Sequence, residues 1–373
     1  MSRKISFLTF AFVLLFSLAA MAADPIIIGL NLELTGPVAA YGQMGLEGIE
    51  LAYDLLPKEV LGRPIKLVWL DNKSDRVESA NATSRLIEKD KAVAVIGPMT
   101  SGNMLAAGPI AEKYRIPIMG PATTAVLTTQ GKQYVFRACF RDDYQGKIAA
   151  QYAYNDLGAR TAAVLSDITN DYCVALGQVF AQEFKRLGGK VVVNQFVRAG
   201  DQDFSAQLTS IKTANPDVMY VPNYYTEDAL IAIQARALGL NMPVLLSDGA
   251  DSPEFFEIGK DAVNGMMNTA LWHEKAATNE LGKLYVQKYR EKYGKDPNAF
   301  GALGADSYLL VVKAIERANS TDPMKIREAL ENTKDLEVFT GMVSIQNGDA
   351  IKSVVIRKAV NGDWEYVTTV DPE

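Results

Sequence analysis

Histidine occurs once in this 373-residue chain, at His273, and cysteine twice, at Cys139 and Cys173. One imidazole builds neither a His-based metal site nor a Ser-His-Asp triad. Two cysteines far apart make no zinc site; they allow one disulfide in an oxidising compartment, and their spacing leaves the pairing open. The glycine-rich stretch Gly36–Gly48 lacks both the Gly-Lys-Ser/Thr of a phosphate loop and the spacing of a dinucleotide fingerprint. Asp71-Asn72-Lys73-Ser74-Asp75 offers oxygen ligands without the calcium-loop pattern. Asn81-Ala82-Thr83 reads as a chance glycosylation sequon, and the charges along Glu280–Lys292 as a solvated helix face. With no nucleophile–base pair and no cofactor motif, the chain reads as a non-enzyme without metal or cofactor.

Long apolar runs are missing too, except at the start. Arg3 and Lys4 precede an apolar stretch from Ile5 to Met21, and Ala20-Met21-Ala22 supplies small residues for cleavage. The pattern predicts a signal peptide over residues 1–22, cleaved after Ala22, with an uncleaved anchor as the rival reading. No later run approaches the ~20 residues of a spanning helix, and no Cys at the cleavage site offers a lipid handle. The expected product is an exported, soluble protein of the periplasm. Without Arg3 and Lys4, 36 of the 38 basic residues remain against 44 acidic ones, a net charge of −8. An acidic chain without basic clusters argues against nucleic acid as a partner.

What is present is an alternation of strand-like and helix-like segments. Pro25–Leu32, Ile65–Leu70, the two runs around Val95 and Ile118, and Tyr134–Cys139 are β-rich, with Tyr41–Leu56 and Glu78–Glu88 helical between them. The series restarts with helix Asp143–Leu157 and continues through strands Thr161–Leu165, Lys190–Val197, Asp217–Val221 and Val244–Leu246. After Asn268 come helices Glu280–Tyr293, Gly304–Ala318 and Lys325–Asn332. Strands Val338–Ile345, Ala350–Lys358 and Trp364–Val370 follow, with hairpin signals at Asn347-Gly348 and Asn361-Gly362. A late helical block after a complete βα series finds its place by returning to the first lobe. The prediction is an α/β protein of two doubly wound lobes joined by several crossings around a cleft. One lobe is assigned residues 23–140 and 273–346, the other 141–272 and 347–373.

One short pattern occurs twice. Residues 93–101 read Val-Ala-Val-Ile-Gly-Pro-Met-Thr-Ser, and residues 116–124 read Ile-Pro-Ile-Met-Gly-Pro-Ala-Thr-Thr. Each apolar run ends in Gly-Pro, one spacer and two hydroxyls. If both runs are parallel strands, each followed by a helix, both hydroxyl pairs sit at helix N-termini. Free backbone N–H groups there form a seat for an anion. The plainer reading is that these residues only cap two helices.

The chain resembles the periplasmic solute-binding proteins of branched-chain amino acid ABC transporters, the Leu/Ile/Val-binding type. The resemblance spans the mature chain. It rests on Leu34-Thr35-Gly36-Pro37-Val38-Ala39-Ala40-Tyr41-Gly42, Val95–Ser101, Ala122-Thr123-Thr124, Asp142–Gly146, Asp171-Tyr172, Tyr224-Tyr225-Thr226-Glu227 and Ser247-Asp248-Gly249. It implies a type I periplasmic binding fold with three crossovers. It also implies a monomer that catches its ligand by lobe closure and hands it to a membrane permease.

A free amino acid is a zwitterion, so its site needs donors for a carboxylate, a negative group for an ammonium, and a wall for the side chain. Ser101 and Thr123, with the backbone of Ala122, match the family's carboxylate seat, where the repeated hydroxyls had already pointed. Asp248 follows strand Val244–Leu246 and matches the ammonium-holding position, where the resemblance implies Glu. Asp is one methylene shorter and needs a closer ligand or a bridging water. Tyr172 and Tyr224, with Tyr225 as competitor to the latter, match aromatic wall positions able to meet a cation. Tyr41 matches a residue flanking the ligand side chain, and Thr100 is a candidate wall residue. Apolar walls suit an aliphatic L-amino acid. Another small solute stays open: γ-aminobutyrate, an aromatic carboxylate, or an amide or urea-like compound. A sensor ectodomain would want a second membrane segment or a fused signalling domain.

Overall fold

The computed structural model describes residues 24–276 and 278–372. The predicted signal peptide, residues 1–22, lies outside them. Among the described residues no helix is long and apolar enough to cross a membrane.

Strand β1 (Ile26–Leu32) reads Ile-Ile-Ile-Gly-Leu-Asn-Leu and is buried at all but one position. It can be apolar almost throughout because it runs between two parallel neighbours, with side-chain clusters on both sheet faces. Those neighbours are β3 (Arg63–Asp71) and β4 (Ala94–Ile96). The short β2 (Glu59–Val60) pairs with β3 at the sheet edge. Beyond β4 come β5 (Ile118–Gly120) and β6 (Val135–Arg137), both parallel. Then the chain's late strands β14 (Asp349–Ile351), β13 (Gly341–Gln346) and β12 (Leu336–Val338) complete a nine-stranded sheet. Helices α1 (Ala39–Leu55), α2 (Arg76–Glu88) and α3 (Ser101–Tyr114) connect the early strands.

The second sheet has seven strands in the order β16-β15-β11-β10-β9-β7-β8. Its members are β7 (Thr161–Asp167), β8 (Lys190–Val197), β9 (Val218–Val221), β10 (Val244–Leu246) and β11 (Met267–Ala270). The antiparallel hairpin β15 (Val354–Val360) and β16 (Asp363–Val370) closes its edge. Helices α4 (Asp142–Gln151), α5 (Asp171–Arg186), α6 (Ser205–Ala214), α7 (Tyr225–Ala237) and α8 (Pro253–Gly259) cover it. Helices α9 (Glu280–Tyr293), α10 (Ala299–Ala318) and α11 (Pro323–Glu331) then return to the first lobe. The two doubly wound lobes and three crossings expected from the sequence are thus present. In each sheet the chain departs from one strand to both sides, at β1 and at β7. These are the switch points at which open α/β sheets leave a crevice for ligands.

Three expectations need correction. The run Ala350–Lys358 is not one strand: it is cut at Lys352-Ser353, where the chain crosses between lobes. Residues 347–351 therefore belong with the first sheet, not with the second lobe as the sequence division had it. Lys352 pins the cut, its ammonium 2.6 Å from the fully buried Asp306 carboxylate. Second, β5 is not followed by a helix. Only a single turn of 3₁₀ helix, Val126–Thr128, fits before β6 begins. Third, α10 begins five residues earlier than the periodicity suggested, because Gly301 and Gly304 act as contact points rather than as breakers. A Cβ on Gly48 of α1 would lie 1.8 Å from the Gly301 carbonyl oxygen, and one on Gly304 would lie 2.5 Å from that of Gly45. Glycine lets the helices cross backbone to backbone. That crossing stacks Tyr41 on Phe300, ring centres 4.3 Å apart and planes 9° from parallel.

Both predicted hairpins form. Asn347-Gly348 and Asn361-Gly362 carry positive φ at both positions, as type I′ turns demand.

Candidate functional site

The crevice is built from strand ends. On the first lobe, Thr100 precedes α3 as its N-cap and Ser101 is the first helical residue. A buried carboxylate sits beside this helix start. Glu33, fully buried just past β1, accepts from the N–H groups of Met99 (2.9 Å) and Thr100 (3.1 Å), the Thr100 hydroxyl (2.9 Å) and the Asn103 amide (2.9 Å). This internal carboxylate holds the two amides that lead into the helix and complements its dipole. Glu33 thereby commits the Thr100 hydroxyl. Ser101 escapes: its Oγ accepts from the Ala125 N–H at 3.1 Å, leaving its hydroxyl proton to donate elsewhere. Thr123 lies after β5, fully buried, and its hydroxyl has no partner among the described residues. With no helix behind it, Thr123 is neither a cap nor part of a dipole seat.

On the second lobe, Asp248 follows β10 and is 3 % exposed. Its Oδ1 accepts from the Tyr172 hydroxyl at 2.6 Å and from the Gln145 amide at 2.7 Å. With that proton spent, the Tyr172 oxygen accepts from the Ser247 hydroxyl (2.7 Å) and from the Gly249 N–H (3.1 Å). Gln145 reaches Thr269 at 2.8 Å. Burial raises the Asp248 carboxyl to about 6, against the opposing pull of the Tyr172 and Gln145 hydrogen bonds.

The lobes meet through aromatic residues. The Tyr41 hydroxyl donates to the Gly249 carbonyl, next to Asp248. The Tyr41 ring stands edge-on to Tyr224 at 5.5 Å and to Tyr225 at 5.1 Å. Tyr224, half-buried, lies over Tyr172 with ring centres 5.6 Å apart. Tyr225 turns instead to the first lobe, its hydroxyl 3.0 Å from the Pro37 carbonyl. Two further bonds span the gap: Arg76 to Asp171 at 2.7 Å, and the Ala299 N–H to Asp251 at 3.4 Å. The molecule is therefore described in a closed form. Outside Tyr224 the cleft opens into a cavity of about 500 Å³, with Val38, Arg76 and Asn103 on one side and Asp167, Asn170 and Glu227 on the other.

Tyr41, Tyr172, Tyr224 and Asp248 thus form one connected group across the cleft. Ser101, Ala122 and Thr123 lie at the strand ends of the first lobe, and Thr100 lines the mouth. Sequence reasoning missed Glu33, Gln145 and Phe300. Gln145 stood inside the Asp-Asp-Tyr-Gln-Gly motif, one helical turn after Asp142. Glu33 had no local signal at all. Cys139 and Cys173 are free, buried thiols. No cluster of three or more His, Cys, Asp or Glu among the described residues is arranged to hold a metal ion.

Comparison with known proteins identifies the family. The family model described as "Periplasmic binding protein" matches residues 25–363. The Leu/Ile/Val-binding protein BraC3 of Rhizobium johnstonii is 31% identical over 354 residues, 92% of this chain and 93% of that protein. The crystal structure of the leucine binding protein LivK from Thermotoga maritima superposes with a TM-score of 0.91. It is 44% identical and covers 93% of this chain and 99% of that one. LivJ of Streptococcus pneumoniae, a branched-chain amino acid transporter substrate binding protein solved with isoleucine, gives a TM-score of 0.87. Its identity is 32%, over 92% of this chain and 99% of that one. The chain belongs to the periplasmic binding protein family.

Proposed function

We propose that the protein captures a free aliphatic L-amino acid of the branched-chain type by closing its two lobes, and delivers it to a membrane ABC permease without altering it. The observation that carries the reading is the division of polarity across the crevice. The first lobe presents uncommitted hydroxyls at Ser101 and Thr123, suited to an α-carboxylate. The second presents one buried carboxylate, Asp248, pre-set by two hydrogen bonds and suited to an α-ammonium. Between them Tyr41, Tyr172, Tyr224 and Phe300 offer rings rather than further charges. The relatives named for leucine, isoleucine and valine support that choice of side chain. The export signal read in residues 1–22 supports a periplasmic setting, and on this reading the protein acts as a monomer.

The test is thermal unfolding of mature protein that has been denatured and refolded to strip bound ligand. The panel holds the common amino acids, γ-aminobutyrate, urea and benzoate. A ligand that binds only the folded state raises the melting temperature by mass action. The expected result is an upward shift confined to aliphatic L-amino acids. A shift only with compounds lacking an α-ammonium keeps the fold and discards the role of Asp248.

A further inference from the structure

Asp142, the first residue of α4, is a buried carboxyl that the proposed binding reaction does not use. It is 0 % exposed, and neither of its oxygens meets a donor in good hydrogen-bond geometry among the described residues. Its position is nonetheless fixed: its own N–H donates to the Thr124 carbonyl at 2.9 Å, which ties it behind the Thr123-Thr124 pair. One helical turn later Gln145 projects from the same face of α4. Gln145 gives both amide hydrogens away, to Asp248 and to Thr269, while its Oε1 is buried with no donor.

Among the described residues, the buried cation beside Asp142 is already engaged. The buried Arg137 of β6 is spent on Asp349 (2.8 Å), on the Thr124 and Ala125 carbonyls (2.6 and 2.9 Å) and on Thr129 (2.6 Å). An ionised, unpaired carboxylate at zero exposure carries a heavy desolvation cost, and such groups take up a proton instead. The groups around it push the same way. Asp248 beyond β10 and Asp143 on its own helix repel its charge. Tyr172 of α5, Tyr220 of β9, Cys139 before the helix and Cys173 of α5 are neutral neighbours whose ionisation it opposes. Burial first, then Asp248, raises the Asp142 carboxyl well above the usual range, against the opposing pull of the Thr124 hydroxyl and Arg137.

We propose that Asp142 is the neutral partner of Asp248: it keeps its proton at neutral pH and, through Gln145, positions the one carboxylate that meets the ligand ammonium. A protonated Asp142 supplies the donor that Gln145 Oε1 lacks. It also leaves a single negative charge at the ammonium seat for a single positive one, as pairs of carboxyls with unlike surroundings do elsewhere. Asp142 is on this view a positioning residue, and the inference rests on the amino acid reading above.

Two measurements test it, and the first needs no ligand. Difference infrared spectra of refolded protein at pH 7 should show the carbonyl stretch of a buried, protonated carboxylic acid. Asp228, equally buried and without a donor among the described residues, contributes such a band to every variant, so the signature is the difference: the wild-type-minus-Asp142→Asn spectrum should contain the band and the wild-type-minus-Asp248→Asn spectrum should not. A wild-type-minus-Asp142→Asn spectrum without it overturns the proposal, whatever the protein binds. The second is calorimetric titration with L-leucine between pH 5 and 8. Asp142→Asn, which mimics the protonated acid, should bind within about threefold of wild type with the same pH midpoint. Asp142→Ala should bind at least about tenfold more weakly. Loss in Asp142→Asn as deep as in Asp248→Asn, or a midpoint lowered in Asp142→Asn, would show that Asp142 is charged. Unchanged affinity in Asp142→Ala would show that it positions nothing. If Asp142→Ala does not fold, the infrared band and the Asn variant decide. If wild type fails to bind leucine, the proposed function falls while the infrared result still stands or falls alone.

Discussion

Tyr172 holds Asp248 by a 2.6 Å hydrogen bond from its phenol to Oδ1, and both residues are almost fully buried. The tyrosine comes from α5 and the aspartate from beyond β10, so the bond fixes the carboxylate before any ligand arrives. Removing the carboxylate should leave a buried ammonium without its counter-charge. Asp248→Ala is expected to weaken amino acid binding by ~30-fold or more, since truncating one partner of a buried charge pair costs ~2–5 kcal/mol. Tyr172→Phe, which removes one hydrogen bond to a charged group, should cost about tenfold. Calorimetric titration of both variants checks the order; equal, small losses would remove Asp248 from the site.

Binding should be sensitive to acid. With its carboxyl raised to about 6, ligand-free Asp248 takes up a proton as pH falls through that value. An ammonium pairs only with the ionised form, so affinity should be flat above pH 7 and decline toward pH 5, by at most about tenfold per unit. Stability of the ligand-free fold should run the opposite way. Asp248 binds its proton more tightly folded than unfolded, so its contribution is complete below about pH 4 and is lost as pH rises through about 6. Affinity at pH 5 equal to that at pH 7.5 would contradict the first expectation, and denaturant titrations across the range check the second.

The crossing of α1 and α10 leaves no room for a methyl group. Gly48→Ala places a carbon against the Gly301 carbonyl oxygen. Both groups are backbone, so relief requires the helices to separate. A destabilisation of about 2–4 kcal/mol is expected, with weakened ligand binding as the Tyr41–Phe300 stack shifts. Urea unfolding with an unchanged slope would measure it.

Glu33 should matter more for the fold than its distance from any reacting group suggests. Glu33→Ala strands two backbone N–H groups and an asparagine amide in a dry interior, for an expected loss of about 2–4 kcal/mol. Glu33→Gln keeps the shape but not the charge and should lose about half as much. A Glu33→Ala protein as stable as wild type would mean that water replaces the carboxylate at little cost.

The Arg76–Asp171 pair joins the lobes but is half exposed on both sides. Exposed ion pairs contribute ~0–1 kcal/mol. Arg76→Ala should therefore change affinity by no more than about fivefold, and the difference should shrink in high salt.

Much of this molecule could be read from the chain because the signals were local. Val- and Ile-rich runs ending in glycine marked covered parallel strands. Asn347-Gly348 and Asn361-Gly362 marked their hairpins, and the placement of Asp248 just past an apolar run put it on a strand end. What escaped depended on distance. Glu33 meets partners 66 to 70 residues away, and nothing near it announces them. The cut at Lys352-Ser353 follows from Asp306, which holds Lys352 from another helix. The start of α10 was lost because glycine has low helix propensity, whereas here close packing on α1 outweighs that penalty. The second Gly-Pro-hydroxyl motif resembled the first in letters, yet only the first is followed by a helix.

The first sheet receives its outer strands from residues 336–351 and the second its edge hairpin from residues 354–370. Neither sheet can be finished by a growing polypeptide until nearly all of it has been synthesised. Such late, long-range closure slows folding. The segments that lock both halves are the last to leave the ribosome, so the two sheets reach completion almost together, within the final forty residues of synthesis.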